Sequence, residues 1–519
     1  MALLSAALQI LIFPLPNLYP LGWIAVAPLL IALLRARRPA TLQLSASVKL
    51  LPATPIQGFL LGYACGILWY AGTCYWIFNT MRQYGGLNGP AAFGILILFC
   101  LYLALYHGLF GWLISLLAGY SPFSRRALLL SPAAWVAVEL ARTRITGFPW
   151  DLLGISQVDN ISLSRIATVT GVYGLSFEIM LVNAAIAAVF LVRREKRMQL
   201  LFASLAAACV LQAGVLIPAP RIPASRSAVL VQANIPILEG ADWTREYFIS
   251  TLHDLIRVSQ DPVAPSAPSL IIWPESPAPF YGADPIFRAA ISSLAEQAKT
   301  WIITGEIGTQ NASQNQPTRI FNSAALISPS GEWTSRYDKV HLVPFGEYVP
   351  FKNFFAFAGG LTKEVGDFSR GASRQPLDAG ETKYGVFVCY ESIFPDEVRV
   401  FAANGAQALV NISNDGWYGD SGAYAQHLKQ SRMRAVENSR WLLLDTNTGV
   451  TASIDPYGRM VASAPRKIRT ALTAPYALSN ETTFYTRHGD WFAYFCAIIS
   501  IAALFGRFIP QTGKARKAA

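Results

Sequence analysis

Charge is what this sequence has least of. Only 14% of its 519 residues are Asp, Glu, Lys or Arg, while 53% are hydrophobic; an ordinary soluble domain carries about a quarter charged residues. The shortage argues against the roughly three water-soluble domains that length alone would suggest. It points to several membrane spans carrying one soluble unit. Cysteine and histidine are scarce too, at six and five residues. Cys65, Cys74, Cys100, Cys209 and Cys496 lie inside apolar runs. The polar part of the chain therefore keeps one thiol, Cys389, and cannot close an internal disulfide. No CxxC or Cys/His spacing suits zinc. No histidine forms an evident pair with Cys389, which argues against a papain-like Cys–His site. Neither metal nor cofactor is expected.

What the chain does have is long apolar runs, at about 2–15, 19–35, 56–79, 90–118, 127–142, 165–192, 199–217 and 489–508. Most approach or exceed the roughly 20 residues that a bilayer requires. The first lacks a basic leader and is followed at once by a second run, so it reads as a span and not as a signal peptide. The formal net charge is +11, and its placement is informative. Arg35, Arg37, Arg38 and Lys49 follow the second run, Arg125 and Arg126 the fourth, Arg193, Arg194, Lys196 and Arg197 the sixth, and Lys514, Arg516 and Lys517 the eighth. By the positive-inside rule these exits and both termini are cytoplasmic. Residues 218–488 then fall on the far side, in a bacterium the periplasm of an inner-membrane protein. The basic excess is largely topological, so no nucleic-acid partner is expected. Within or near the runs, Glu139, Arg142, His107, Glu178 and Asn183 are costly at membrane depth and mark either function or interhelical hydrogen bonds. TGFPWDLLGISQ (146–157) reads as a structured interfacial loop.

From about 226 the pattern becomes α/β. Strands are expected at 228–235, 269–276, 301–307, 319–331, 383–389 and 408–415, with a hairpin over 441–459. Helices are expected at 244–260, 285–300, 394–406 and around 423–439. Continuous Val/Ile/Leu strands between helices imply sheets covered by helices. The expected organisation is a membrane domain of about seven helices over 1–217, an α/β domain over 226–482, an eighth span at 489–508 and a basic tail over 509–519.

Three expected strand ends carry reactive groups: Glu275 after SLIIWP, Lys339 after SRYD, and Cys389 after KYGVFV. Ligands gather at the carboxyl ends of strands in such sheets. A thiol is only partly ionised at neutral pH, and a carboxylate such as Glu275 can take its proton. Attack on a carbonyl generates an oxyanion, which the Lys339 ammonium and backbone N–H groups after the cysteine can stabilise. A helix opening at that turn would also favour the thiolate through its dipole. PFKNFFAFAGGL (350–361), with Phe351, Phe354, Phe355 and Phe357, is too oily for an ordinary loop and reads as either a lid dipping into the outer leaflet or a helix buried against the sheet. Trp417 and Tyr418 extend the same membrane-facing rim.

WPES (273–276), YDKVHLVPFGEYVPF (337–351) and VCYESIFP (388–395) resemble the Glu, Lys and Cys motifs of the nitrilase, or carbon-nitrogen hydrolase, superfamily. With SNDGWYGD (413–420), HLKQSRMRAVENSR (427–440), TNTGVTASIDPYG (446–458) and the flanking spans, the chain resembles its membrane-embedded branch, the apolipoprotein N-acyltransferases. The resemblance implies an αββα sandwich on about eight spans. It implies a ping-pong acyl transfer from a phospholipid to Cys389, and then to the N-terminal amine of a diacylglyceryl-apolipoprotein. In those roles Glu275 is the general base, Lys339 the oxyanion partner and Cys389 the nucleophile. Glu347, Tyr390 and Glu391 support them, as do Trp243, Asn322, Trp417 and Arg440 by motif position. Rival readings are a membrane-anchored nitrilase-like amidase, with water as acceptor, and a non-catalytic lipid-binding scaffold.

Overall fold

A computed structural model of the chain describes residues 1–37, 50–119, 124–192, 194–216, 218, 221–237, 242–261, 268–276, 278–310, 318–348 and 368–508. The Phe-rich stretch expected to form a lid or buried helix, and the basic tail, lie outside the described residues.

Each apolar run is helical over most of its length, but several are broken. Gly89–Ala118, Val172–Leu191 and Arg194–Leu216 are long and apolar enough to cross a membrane; Ala2–Leu11, Tyr19–Leu34 and Trp491–Gly506 are apolar but shorter. Of the eight expected spans, three among the described residues thus meet the requirements of length and apolarity together by themselves. The breaks have local causes. Pro20 and Pro28 punctuate the second run, which divides into Tyr19–Leu21, Gly22–Ala25 and Ala27–Leu34. The third run stops at Thr73 and restarts as Trp76–Gln83. The sixth is cut at Gly171, whose φ of +65° ends one short helix and opens Val172–Leu191. A Cβ there would also strike the Tyr485 ring at 2.5 Å.

Asn183 shows how these pieces are joined. Its side chain accepts from the Val26 and Ala27 N–H groups at 2.8 Å and donates to Gly22 O and Ile179 O at 2.8 Å. That is interhelical hydrogen bonding, which supplies partners to backbone groups freed by the break at Ala25. Arg142 likewise donates to Tyr70 OH of another helix at 2.9 Å and Glu139 accepts from Leu153 N at 2.7 Å; with His107 they line one cavity together with Trp135 and Asp151.

Among the described residues, the α/β part contains twelve strands in two six-stranded sheets. They are β1 Arg226–Gln232, β2 Leu270–Ile272, β3 Trp301–Gln310, β4 Arg319–Ile327, β5 Trp333–Asp338, β6 Leu377–Ala379, β7 Thr382–Val388, β8 Ala408–Ser413, β9 Leu442–Thr446, β10 Thr451–Ile454, β11 Met460–Ala464 and β12 Thr470–Tyr476. One sheet has the order β12-β1-β2-β3-β4-β5, the other β11-β10-β9-β8-β7-β6. The strands at the centre run parallel, β1 to β2 to β3 and β7 to β8 to β9.

Alternation along β1 explains the layering. Ala228 and Leu230 enter the core between the sheets with Ile272, Ile303, Val386 and Val410. Val229 and Val231 face outward into a second core, where Leu252 and Leu255 of the helix Arg245–Gln260 and Phe287 and Ile291 of Pro285–Ala298 cover them. Both faces are apolar because both are covered. The sheets are also tied by the Tyr384 and Tyr476 hydroxyls, 2.7 Å apart. The second sheet carries Pro395–Ala403 and Ala423–Asn438. The latter is buried on nearly every side because the helical part covers its outer face. Trp150 Nε1 donates to Gln426 Oε1 at 2.8 Å, and Val172 N donates to Glu437 Oε1 at 3.0 Å.

Candidate active site

The site lies at the carboxyl ends of β2, β5, β7 and β8, beside the amino-terminal half of the antiparallel β4, which carries Asn322. β2 ends before Pro274, which cannot donate to a ladder, so Glu275 leaves the sheet just past its edge. It can do so because Gly305 on β3 has no side chain: a Cβ there would meet Pro274 O at 2.2 Å and Glu275 Cα at 2.8 Å. β5 ends at Asp338 and delivers Lys339. β7 ends at Val388, and Cys389 comes next with φ +50°, a left-handed conformation that turns the chain sharply.

Glu275, Lys339, Asn322 and Glu347 form one buried cluster. Lys339 Nζ donates to Glu347 Oε1 at 2.9 Å and to Glu275 Oε1 at 3.5 Å. Asn322 Nδ2 bridges the same two carboxylates, at 2.7 Å to Glu275 and 2.6 Å to Glu347. Glu275 Oε2 accepts from Asn414 N at 2.8 Å, and Glu347 Oε2 from Val343 N at 2.7 Å. These partners of Glu275 are all donors, an arrangement suited to a carboxylate. Burial works against the Lys339 charge, but Glu347, Glu275 and Cys389 outweigh it and hold the ammonium above the ordinary lysine range.

Cys389 is buried. Burial, then the Glu275 charge, push its thiol well above the ordinary range; Lys339 pulls it down and Asp415 pushes it up. Burial and the Glu275 charge thus favour the protonated thiol. The structure corrects the expectation of a helix opening at the cysteine. The chain instead forms a five-residue 3₁₀ turn, Cys389–Ile393, and the α-helix begins only at Pro395, a residue preorganised for a first helical position. The dipole of that helix therefore starts too far along to lower the thiol pKa.

The supporting residues separate into distinct roles. Glu391 braces the backbone: Oε1 accepts from Tyr337 OH at 2.8 Å, Val340 N at 2.9 Å and His341 N at 3.0 Å, and Oε2 from Val388 N at 2.8 Å. One carboxylate thus joins the lysine strand end to the cysteine strand end. Tyr390 OH donates to Gly147 O at 3.4 Å, reaching the helical part. Trp417 is half-buried against the helical part. Its ring meets Tyr84 edge-on at 5.3 Å and its carbonyl accepts from Thr80 Oγ1 at 3.0 Å, while Tyr418 is buried beside Trp76 and Trp150. Helix Trp76–Gln83, the continuation of a broken span, covers both. Trp243 packs on Tyr247 at 4.9 Å, outside the first sheet. Arg440 is buried at the opposite ends of the strands, donating to Ala406 O at 2.9 Å and to Glu481 O. It braces the fold and does not join the cluster.

Gly305, Asn411, Asn414, Asp415 and His427 contribute to the site without standing out as reactive types in the sequence. Asn414 and Asp415 sit in SNDGWYGD, the motif that also holds Trp417, and the Asn–Asp pair after an apolar strand is the signal that could have singled them out. His427 is close to Cys389 without forming a Cys–His pair. Its Nε2 lies 3.1 Å from the Cys389 carbonyl, so it touches the backbone of that residue and not the thiol.

Known proteins divide along the same line. Residues 5–185 match the family described as Apolipoprotein N-acyltransferase N-terminal domain, and residues 227–483 match Carbon-nitrogen hydrolase. An apolipoprotein N-acyltransferase of Geobacter metallireducens is 36% identical over 512 residues, covering 96% of this chain and 92% of the relative. One from Methylococcus capsulatus is 36% identical, covering 91% and 90%. One from Vibrio parahaemolyticus is 30% identical, covering 86% and 88%.

Proposed function

The chain belongs to the apolipoprotein N-acyltransferase family of the carbon-nitrogen hydrolase superfamily, and from that premise we propose that its buried Glu–Lys–Cys cluster moves a fatty acyl chain from a phospholipid to the N-terminal amine of a diacylglyceryl-apolipoprotein. The enzyme is an acyltransferase, and the observation that carries the residue assignment is the convergence of Glu275 and Lys339 on Cys389.

Each half-reaction balances through Glu275. The Cys389 thiol gives its proton to Glu275 as sulfur attacks the ester carbonyl. The oxyanion forms near Lys339 Nζ, a fixed charge in a water-poor site, where such stabilisation is worth about 10²–10³ in rate. Collapse breaks the ester C–O bond, and the lysophospholipid oxygen takes the proton from Glu275. The acceptor amine then attacks the thioester and gives a proton to Glu275. Sulfur leaves and recovers that proton, and the amide remains. The thioester conserves the reactivity of the acyl group, so no nucleotide is consumed. Glu347 and Asn322 hold Lys339 and Glu275 in register.

The membrane arrangement belongs to the same reading. About seven spans over 1–217 and an eighth at 489–508 would frame a periplasmic domain over 226–482, with both termini and the tail 509–519 in the cytoplasm. The distribution of basic residues supports this, and the broken helices leave surrounding bundle to complete the shorter spans.

Mass spectrometry of the purified protein after incubation with phospholipid tests the chemistry. The expected product is a hydroxylamine-labile acyl adduct on Cys389, absent in Cys389→Ser and nearly absent in Glu275→Gln. It should form slowly in Lys339→Ala. An unmodified Cys389 under turnover conditions would sink the assignment.

A further inference from the structure

Acyl transfer uses the Cys389 side chain, but the backbone beneath it is held by groups that no chemical step consumes. A left-handed φ of +50° at a non-glycine residue costs roughly 1–2 kcal/mol and persists only where the surroundings enforce it. Among the described residues, two side chains reach the Cys389 carbonyl: His427 Nε2 at 3.1 Å and Asn411 Nδ2 at 3.5 Å.

His427 is fully buried and is held on several sides. Nε2 also lies 2.7 Å from Ser392 Oγ, in the same turn as the cysteine. Nδ1 lies 3.2 Å from Asp415 Oδ1, which accepts from Ser413 Oγ at 2.7 Å. A carbonyl can only accept, so a hydrogen bond at this contact requires the proton on Nε2. The ring lies parallel to Trp150 of the helical part at 6.5 Å and beside Tyr418 at 6.0 Å. The titratable groups facing it are Asp415 and Tyr418 from the short turn after β8, Cys389 from the elbow and Glu275 from the end of β2. Burial disfavours a charged ring, but Asp415, the Cys389 carbonyl and Glu275 outweigh it and raise the imidazole pKa.

We propose that His427, backed by Asp415, is a positioning residue for the acyl transfer: it holds the Cys389 carbonyl from below and so aims the thiol at Glu275 and Lys339. The direction of Cα–Cβ is set by the backbone torsions at Cys389. Without the donor, the carbonyl is left short of a partner in a buried site, and the turn can relax toward a right-handed conformation that swings the sulfur away. This inference rests on the reading of Cys389 as the nucleophile.

Two measurements on the full-length protein separate the inference from that reading. Alkylation of Cys389 by iodoacetamide, followed by peptide mass spectrometry, requires no lipid and reports the elbow alone. Acylation by phospholipid reports the transfer. In His427→Leu, which fills the space without a donor, both rates should fall about 10²-fold, the scale of a misplacement near 1 Å, while KM for phospholipid stays unchanged. In His427→Gln, whose amide can reach the same carbonyl, both should return to within about tenfold of wild type, the worth of roughly one hydrogen bond. Thermal melts in detergent identify which variants fold, and the glutamine variant keeps the test open if leucine unfolds the protein. Folded His427→Leu protein reacting at wild-type rates overturns the proposal. So does an equal loss in the two variants, which would assign the effect to ring packing on Trp150. His427-dependent alkylation with no acyl adduct on wild-type Cys389 would uphold the positioning role and overturn the acyl-transfer reading.

Discussion

Glu391 lies two residues past Cys389, yet its four acceptor contacts all brace the protein and none reaches the thiol. Glutamine in its place keeps the shape but turns one acceptor into a donor facing N–H groups. The Glu391→Gln variant should therefore lose about 1–3 kcal/mol of stability, the cost of an unsatisfied buried polar group, measured as a lower denaturation midpoint. Asn322 is different, because its amide is the only neutral side-chain bridge between Glu275 and Glu347 among the described residues. Asn322→Asp would place a third carboxylate around Lys339 and compete for it. Adduct formation on Cys389 should fall by about 10²-fold or more, within the range that general-base catalysis contributes, with the fold retained by circular dichroism. The thiol itself gives a pH prediction. Because burial and Glu275 raise its pKa, alkylation of Cys389 should still be accelerating above about pH 9, where an ordinary thiol has levelled off. Lys339 works in the other direction, so Lys339→Ala should move the rise to still higher pH. A plateau near the ordinary thiol value of about 8.5 in either protein would contradict this.

At the scale of elements, the strands and helices legible in the sequence are those whose own residues bury an apolar face. Expected strands at 228–235, 301–307, 383–389 and 408–415 correspond to β1, β3, β7 and β8 within a few residues. β6, β11 and β12 were not legible because they are edge strands, or near the edge, with short or half-exposed patterns. Ala423–Asn438 could be read as a helix, but its polar composition gave no hint that it is buried between a sheet and the helical part. Its cations show what that burial requires. Lys429 Nζ and Arg432 NH1 reach Asp159 at 2.9 and 2.7 Å. Burial opposes the Asp159 charge, but Arg432 and Lys429 outweigh it and hold the carboxyl at about 2, against 3.8 ordinarily. A depressed carboxylate contributes stability above its unfolded pKa and loses it as pH falls through the folded value. Asp159→Asn should accordingly cost about 2 kcal/mol at neutral pH, and the gap from wild type should close between about pH 4 and pH 2. Thermal melts of both proteins in detergent across that window check the sign; a gap that widens on acidification would refute the pairing.

At the scale of the molecule, the site is completed where the two parts meet. Tyr390 reaches Gly147, Trp150 stacks on His427, and Arg144 pairs with both Asp396 of the α/β part and Asp490 at the start of the last helix. The nearness of Glu275, Lys339 and Cys389 was legible from sequence because strand ends gather side chains wherever the strands lie. This docking was not, since a loop such as 146–157 carries no periodicity that names its partner. Sidedness depends on the same join. If the α/β part is periplasmic, every residue docked on it belongs to the periplasmic end of the bundle, and the basic exits belong to the other end. Asp378 is exposed on a sheet edge, and Glu195 sits in a basic exit at the start of Arg194–Gln212. In a Cys209→Ser background, a membrane-impermeant maleimide added to cells with a permeabilised outer membrane should label Asp378→Cys at once and Glu195→Cys only after lysis. Labelling in the reverse order would place Cys389 in the cytoplasm, away from the far leaflet where the acyl donor and acceptor are expected to meet.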